Sequence, residues 1–122
     1  MPTADSDRLV VDVRPVGGAT VLALAGELDH DTAEPLRAAL QAARAPGRQR
    51  LLVDFSRLDF CDSTGLNVLL RNRLAMQETG GSLELVGLHQ PIKRMFRITG
   101  ADGLFPLHPD VEAALANPPG AQ

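Results

Sequence analysis

Short apolar segments with strand and helix periods alternate along this chain, and their order constrains the fold more than any other feature. Two strand-like segments, 9–13 and 20–25, flank the turn residues Gly17–Gly18 and predict a hairpin. A helical pattern over 32–45 and a short apolar run at 51–55 follow. A helix that connects two strands of one sheet makes a right-handed crossover, which leaves those strands parallel. We therefore expect strands 20–25 and 51–55 to be parallel.

The remaining segments complete a single α/β domain with a mixed sheet of four or five strands and about four helices. The predicted elements are a helix from Ser63 to the Gly80–Gly81 stop, a strand at 83–86, a short helix opened by Pro91, an edge strand at 104–107 and a helix at 111–116. We expect residues 9–116 to form the domain, with flexible ends at 1–8 and 117–122.

Helical spacing predicts which helix faces lie in the core. The expected inward residues are Ala33, Leu36, Leu40 and Ala43 in the first helix, Leu66, Leu69, Leu70 and Leu74 in the second, and Ile92, Met95 and Phe96 in the third. Lys93, Arg94 and Arg97 are expected to face solvent.

Composition argues against several classes of function. The chain has 122 residues and a formal net charge of -3, so nothing in its charge favours nucleic acid or an anionic membrane. It has four Phe and no Trp or Tyr, which disfavours binding by base stacking. The single cysteine, Cys61, excludes an internal disulfide, and no apolar run is long enough to span a bilayer. We expect a cytoplasmic protein.

Two polar segments are expected to meet at one edge of the sheet. Residues 26–31 follow the strand at 20–25, and residues 56–63 follow the strand at 51–55. Loops after parallel strands emerge at the same edge, where open α/β folds place their binding sites. This edge is therefore the predicted functional site.

Enzyme chemistry has little support in these segments. A serine hydrolase using Ser63 and His30 lacks the usual G-x-S-x-G turn, and a serine before a helix commonly caps it. Cys61 has an apolar setting, typical of a packed thiol. His30, His89 and His108 are too scattered to predict a metal site. We expect no catalytic activity, no metal and no cofactor.

A hydroxyl at the start of a helix is also a possible site of modification. Phosphorylation of Ser63 would add nearly two negative charges at the sheet edge. The free N–H groups of the helix would partly stabilise that phosphate, and the carboxylate of Asp62 would oppose it.

Three segments resemble the bacterial anti-sigma factor antagonists, which have the STAS-domain fold. They are Gly26–Ala33 (GELDHDTA), Phe60–Leu66 (FCDSTGL), and Pro91–Phe96 with Thr99–Gly100 and Leu104–Phe105. They occur in the family's order and extend from Thr20 to Leu107.

The resemblance implies a partner and a regulated residue. Family members bind an anti-sigma factor that is also a serine kinase, and they release a sigma factor. The kinase inactivates its antagonist by phosphorylating the serine after the motif's aspartate, which is Ser63 here, and a phosphatase reverses this. The implied partner surface comprises Asp29, His30, Asp62, Ser63, Thr64, Gly65, Leu66 and Asn67. We expect substitution of Asp29 to affect binding more than folding.

Two positions depart from the common family pattern. Asn67 stands where a small residue is frequent, and Ala101 replaces a frequent apolar residue.

Two other functions remain open. The alternatives are a STAS scaffold or transport-complex subunit that is not switched, and a small serine hydrolase using Ser63 and His30.

Overall fold

A computed structural model describes residues 8–44 and 49–117. The strands are β1 (Leu9–Val16), β2 (Ala19–Leu28), β3 (Arg50–Cys61), β4 (Ser82–Val86) and β5 (Leu107–His108). The helices are α1 (Ala33–Ala43), α2 (Ser63–Glu78), α3 (Gln90–Thr99) and α4 (Val111–Ala116), with a 3₁₀ turn at Ala101–Gly103.

The strands form one mixed sheet in the order β1-β2-β3-β4-β5. β1 is antiparallel to β2, and each of the other neighbouring pairs is parallel. The predicted α/β class and the predicted parallel pairing of 20–25 with 51–55 are therefore confirmed.

The central strands are longer than predicted. β2 continues to Leu28, through half of the segment expected to be a loop at 26–31, and β3 continues to Cys61, through most of the segment expected to be a loop at 56–63. Their register shifts between Ala23 and Ala25 and again between Gly26 and Glu27. Such bulges interrupt the regular alternation of apolar and polar residues, so periodicity alone ended both strands too early.

Other predicted boundaries also change. The last strand lies at 107–108 and not at 104–107. The predicted helix end at Ala45–Gly47 and the expected flexible residues 1–7 and 118–122 lie outside the described residues.

The helices cover the sheet unequally. α1, α2 and α3 pack on one face around a large core that includes the fully buried Leu22, Phe55 and Phe96. Side chains alternate across a strand, so Val21 and Leu52 point to the opposite face, where they meet Ala114 of α4. Phe55 and Phe96 are in edge-to-face contact, with ring centroids 5.9 Å apart.

The predicted inward faces of α1 and α3 are largely confirmed, and that of α2 needs correction. Leu66 and Leu69 are buried, but the side chain of Leu74 is 55% exposed. Asn72 and Met76 take the inward positions near the end of α2. The core face of this helix runs through residues 65, 69, 72 and 76, so it leaves Leu74 outside and includes one polar residue. Asn72 is accommodated there because its Nδ2 donates a hydrogen bond to the carbonyl of Val68.

A buried ion pair ties the sheet to α4. Glu84 of β4 is 2% exposed and accepts hydrogen bonds from Arg50 Nε at 2.8 Å and Nη2 at 2.9 Å. Ser82 Oγ donates to the same carboxylate at 2.8 Å, and His108 Nε2 lies 2.8 Å from it. Arg50 also donates to the carbonyl of Ala114, so β3, β4, β5 and α4 share one polar network.

Candidate functional site

The ends of β2 and β3 are joined directly. Leu28 pairs with Cys61, and the Asp62 N–H donates to the Leu28 carbonyl at 3.1 Å. Asp29 and Asp62, which follow these two strands, are therefore brought to the same edge of the sheet. The predicted meeting of the two polar segments is confirmed, although much of each segment is strand.

Asp62 caps the helix that begins at this edge. Its Oδ1 accepts hydrogen bonds from the Thr64 N–H at 2.9 Å and the Gly65 N–H at 3.2 Å. A carboxylate in this position satisfies two of the helix's otherwise unpaired donors and offsets the positive end of its dipole. The cap is thus Asp62, and not Ser63 as the position of a serine before the helix suggested; Ser63 is the first helical residue.

Ser63 is exposed, and its hydroxyl makes no hydrogen bond with any residue in the described part of the chain. His30 does not act on it as a base: the His30 ring is 83% exposed, and its Nδ1 lies 3.0 Å from Asp31 Oδ1. Burial raises the pKa of the Cys61 thiol to about 12, with a further contribution from the Asp62 charge. The geometry therefore has neither the serine–histidine contact of a hydrolase nor an activated cysteine.

Asp29 has a structural role that the sequence analysis did not anticipate. Its carboxylate accepts hydrogen bonds from the N–H groups of Asp31 at 2.9 Å and Thr32 at 3.1 Å. Thr32 Oγ1 accepts from the Asp29 N–H and donates to the Glu27 carbonyl at 2.8 Å. Burial raises the pKa of Asp29, but the Asp31 N–H, the Arg8 charge and Thr32 outweigh burial and lower it overall. Asp29 therefore also shapes the loop between β2 and α1.

Arg8 is a site residue that sequence reasoning missed, since it falls in the segment expected to be flexible. Its guanidinium donates to Asp29 Oδ2 and lies 3.5 Å from Glu27 and 3.9 Å from Asp31. The charge of Asp29 is the main cause of a raised pKa for Arg8. No local pattern signals this pairing, because β1–β2 pairing is what brings together residues 21 positions apart.

Gly65 and Leu66, two of the eight expected partner-surface residues, are buried. A Cβ on Gly65 would lie 2.6 Å from the side chain of Leu28, so only glycine lets α2 approach β2 this closely. These two residues position the helix start. His30, Ser63 and Asn67 are exposed, and Asp29, Asp62 and Thr64 are partly exposed.

Phe60 adds an apolar group at the same edge. It pairs in register with Glu27, two residues before Asp62, and its side chain is 49% exposed. Its outward position was not predicted, because β3 was not expected to reach it. An exposed aromatic residue beside polar groups is typical of protein-binding surfaces.

The described residues contain no cluster of three or more His, Cys, Asp or Glu side chains suited to holding a metal ion. Nor does any helix in 8–44 and 49–117 have the length and apolar character needed to cross a membrane.

Comparison with known proteins identifies the family. Residues 4–108 match the family model described as "Mlab, STAS domain". An anti-sigma-B factor antagonist from Staphylococcus aureus is 30% identical over 87 residues, which are 71% of this chain and 81% of that protein. An anti-sigma factor antagonist from Mycobacterium paratuberculosis has a crystal structure that matches with a TM-score of 0.77 at 31% identity, covering 95% of this chain and 97% of that one.

SpoIIAA, a further antagonist of this kind, has been solved in two states. Its unphosphorylated form matches with a TM-score of 0.72 at 25% identity, over 84% of this chain and 90% of that one. The phosphorylated form of SpoIIAA from Bacillus matches with a TM-score of 0.70 at 24% identity, over 88% and 97%. These names describe antagonists of protein factors and not enzymes, in agreement with the expectation that this chain is non-catalytic. The chain therefore belongs to the STAS-domain family of anti-sigma factor antagonists.

Proposed function

We propose that the protein binds an anti-sigma factor that is also a serine kinase, and thereby releases a sigma factor, until phosphorylation of Ser63 ends the binding. A serine phosphatase then restores the active form. The observation that carries this proposal is the exposed Ser63 hydroxyl, free of hydrogen bonds to the described residues, at a helix start that Asp62 already caps. The protein acts in the cytoplasm in this proposal, because sigma factors direct transcription there.

The chemistry requires only that the kinase reach the serine oxygen. Ser63 Oγ forms a bond to the γ-phosphorus of ATP, the bond from that phosphorus to the ADP oxygen breaks, and the hydroxyl proton passes to a base of the kinase. The phosphatase hydrolyses the ester with water and returns the hydroxyl. This chain supplies the acceptor and no catalytic group.

Asp62 makes the phosphate disruptive to binding. It already accepts the Thr64 and Gly65 N–H groups, so a phosphate on Ser63 gains fewer helix donors than the sequence suggested. The phosphate adds up to two negative charges beside an existing carboxylate. Burying these charges in an interface without a matching cation costs more than ordinary contacts return.

The proposed binding surface combines a polar rim with one apolar anchor. The polar residues that reach the surface are Asp29, His30, Asp62, Ser63, Thr64 and Asn67. Phe60 supplies the apolar area that typically carries much of the binding energy in such contacts. Gly65 and Leu66 support this surface from below.

The test is incubation of the protein with ATP and each anti-sigma factor kinase encoded in the same genome, followed by phosphopeptide mapping. We expect stoichiometric phosphate on the wild type and on the matched control Thr64→Ala, and none on Ser63→Ala. Phosphate on Ser63→Ala at the wild-type level would contradict the assignment. Stable binding of a kinase that never phosphorylates Ser63 would favour the alternative, a STAS scaffold or transport-complex subunit that is not switched.

The phosphorylated protein tests the mechanism itself. We expect its backbone NMR spectrum to change only around Asp29 and Ser63, and its binding to the anti-sigma factor to be lost. An unfolded phosphoprotein, or one that binds as well as the unmodified form, would refute the electrostatic switch.

A further inference from the structure

A groove between α1 and α2 gathers arginines outside the site described above. Arg37 and Gln41 lie on one face of α1, Arg44 follows directly after this helix at the same spacing, and Val68, Arg71 and Asn72 lie on one face of α2. Residues three, four and seven apart share one side of a helix. The two faces line a cavity of about 240 Å³ that is open to solvent.

The positive charge of the groove is largely unpaired. Arg37 forms an ion pair with the exposed Glu34. Within 8–44 and 49–117, neither Arg44 nor Arg71 has an acidic partner or a side-chain hydrogen bond. Three positive charges thus converge at this groove in a protein whose net charge is -3. Pairing each arginine with one of the protein's carboxylates would lower the electrostatic free energy of the folded state.

Arg44 Nε is the strongest sign of a missing ligand. This atom is buried and has no hydrogen-bond partner in the described structure. A buried donor without an acceptor is costly, and more so on a charged group. Because Arg44 follows the last residue of α1, its charge offsets the helix dipole there, but that long-range interaction does not satisfy Nε. Arg37 and Arg71 lie in the interiors of their helices, where a positive charge gains no stabilisation from the helix dipole.

We propose that this groove binds a small oxyanion of the phosphate class. Guanidinium groups match the oxygens of phosphate in charge and in hydrogen-bond geometry. The amide of Asn72, which uses one hydrogen on the Val68 carbonyl, retains a second for the ligand, and Gln41 adds a further neutral donor. The cavity is smaller than the roughly 300 Å³ at which sites for drug-sized ligands begin, and its lining has no aromatic residue to stack a base. The ligand is therefore phosphate itself or the phosphate group of a small metabolite, and this inference does not depend on the role of Ser63.

Titration of the unphosphorylated, ¹⁵N-labelled protein with inorganic phosphate, at an ionic strength held constant with sodium chloride, tests the proposal. We expect saturable shifts of the backbone amides of residues 37, 41, 71 and 72. Glycerol 3-phosphate, titrated in parallel, distinguishes the two sources: tighter binding than phosphate indicates a phosphorylated metabolite, and weaker binding indicates the free ion. Shifts that sodium chloride alone reproduces would overturn the proposal.

Variants locate the site. Arg71→Gln, on the exposed side of the groove, is expected to weaken phosphate binding about tenfold, equivalent to about 1.4 kcal/mol. Arg44→Gln is expected to weaken phosphate binding to the same extent and to reduce the rise of the thermal midpoint that phosphate produces in the wild type. The matched control is Arg97→Gln, an exposed arginine of α3 outside the groove. Equal weakening by Arg97→Gln, or unchanged binding by a folded Arg71→Gln, would refute the assignment.

Discussion

Replacement of Glu84 by leucine tests how the sheet is tied to α4. In the native protein Arg50 and Glu84 have side chains that are only 11% and 2% exposed, and they are joined by two hydrogen bonds. Glu84→Leu removes the carboxylate and leaves the Arg50 charge buried without its partner. Ser82 and His108 lose an acceptor in the same step.

The expected cost is large for a single substitution. Removal of one member of a buried ion pair typically destabilises a protein by about 3–5 kcal/mol. Arg50 keeps the carbonyls of Ala114 and Asn117 as acceptors, so we expect a value near the lower end, about 3 kcal/mol. The double variant Arg50→Met/Glu84→Leu has no buried charge left unpaired. We expect it to be more stable than Glu84→Leu alone, since apolar groups of similar volume often replace such pairs without loss.

Urea unfolding followed by circular dichroism measures these differences, because the chain has no Trp or Tyr to report by fluorescence. The matched control is Glu78→Leu, an exposed glutamate at the end of α2, which is expected to change stability by no more than about 0.5 kcal/mol. A Glu84→Leu protein as stable as this control would refute the reasoning. So would a double variant whose loss of stability equals the sum of the losses measured for Glu84→Leu and for Arg50→Met as single variants.

The pH dependence supplies an independent check. Burial raises the pKa of Glu84, but hydrogen bonds from Arg50, Ser82 and His108 outweigh burial and lower it overall. A carboxyl whose pKa is lower in the folded state stabilises the protein above its unfolded pKa, here about 4.5, and that stabilisation is lost as the pH falls through the folded value. We expect the urea midpoint of the wild type to fall in this acidic range, and that of Glu84→Leu to fall less.

Three further substitutions test the functional edge. Asp29→Ala removes the acceptor for two backbone N–H groups, so we expect a lower urea midpoint than for Asp12→Ala, an exposed aspartate of β1; equal midpoints would show that these hydrogen bonds do not stabilise the fold. Gly65→Ala places a Cβ 2.6 Å from Leu28, and we expect a loss of about 1–3 kcal/mol in the unfolding free energy, with an unchanged midpoint as the contrary result. Phe60→Ser is expected to weaken anti-sigma factor binding by about 2 kcal/mol without lowering the unfolding midpoint, and calorimetric affinity equal to wild type would contradict its role as an anchor.

Local sequence patterns were sufficient to predict the architecture. The order of strands and helices implied a mixed sheet and the parallel pairing of β2 with β3, because the handedness of the crossover leaves few alternatives. The motif around Asp62 and Ser63 likewise predicted a helix start at the sheet edge, since capping depends on residues within one turn. The identity of each element and the helix cap depend on near neighbours in the chain, whereas the parallel pairing follows from the crossover rule applied to the order of the elements.

Tertiary structure decided what local patterns leave undetermined. The continuation of β3 to Cys61 depends on its pairing with β2, and the pairing of Arg8 with Asp29 requires β1 to lie beside β2. The convergence of Arg44 and Arg71 depends on how two helices pack against the same sheet. Periodicity assigns each residue to a side of its own element. Which side meets a neighbour, and which charged groups meet there, is determined by the free energy of the whole packed domain.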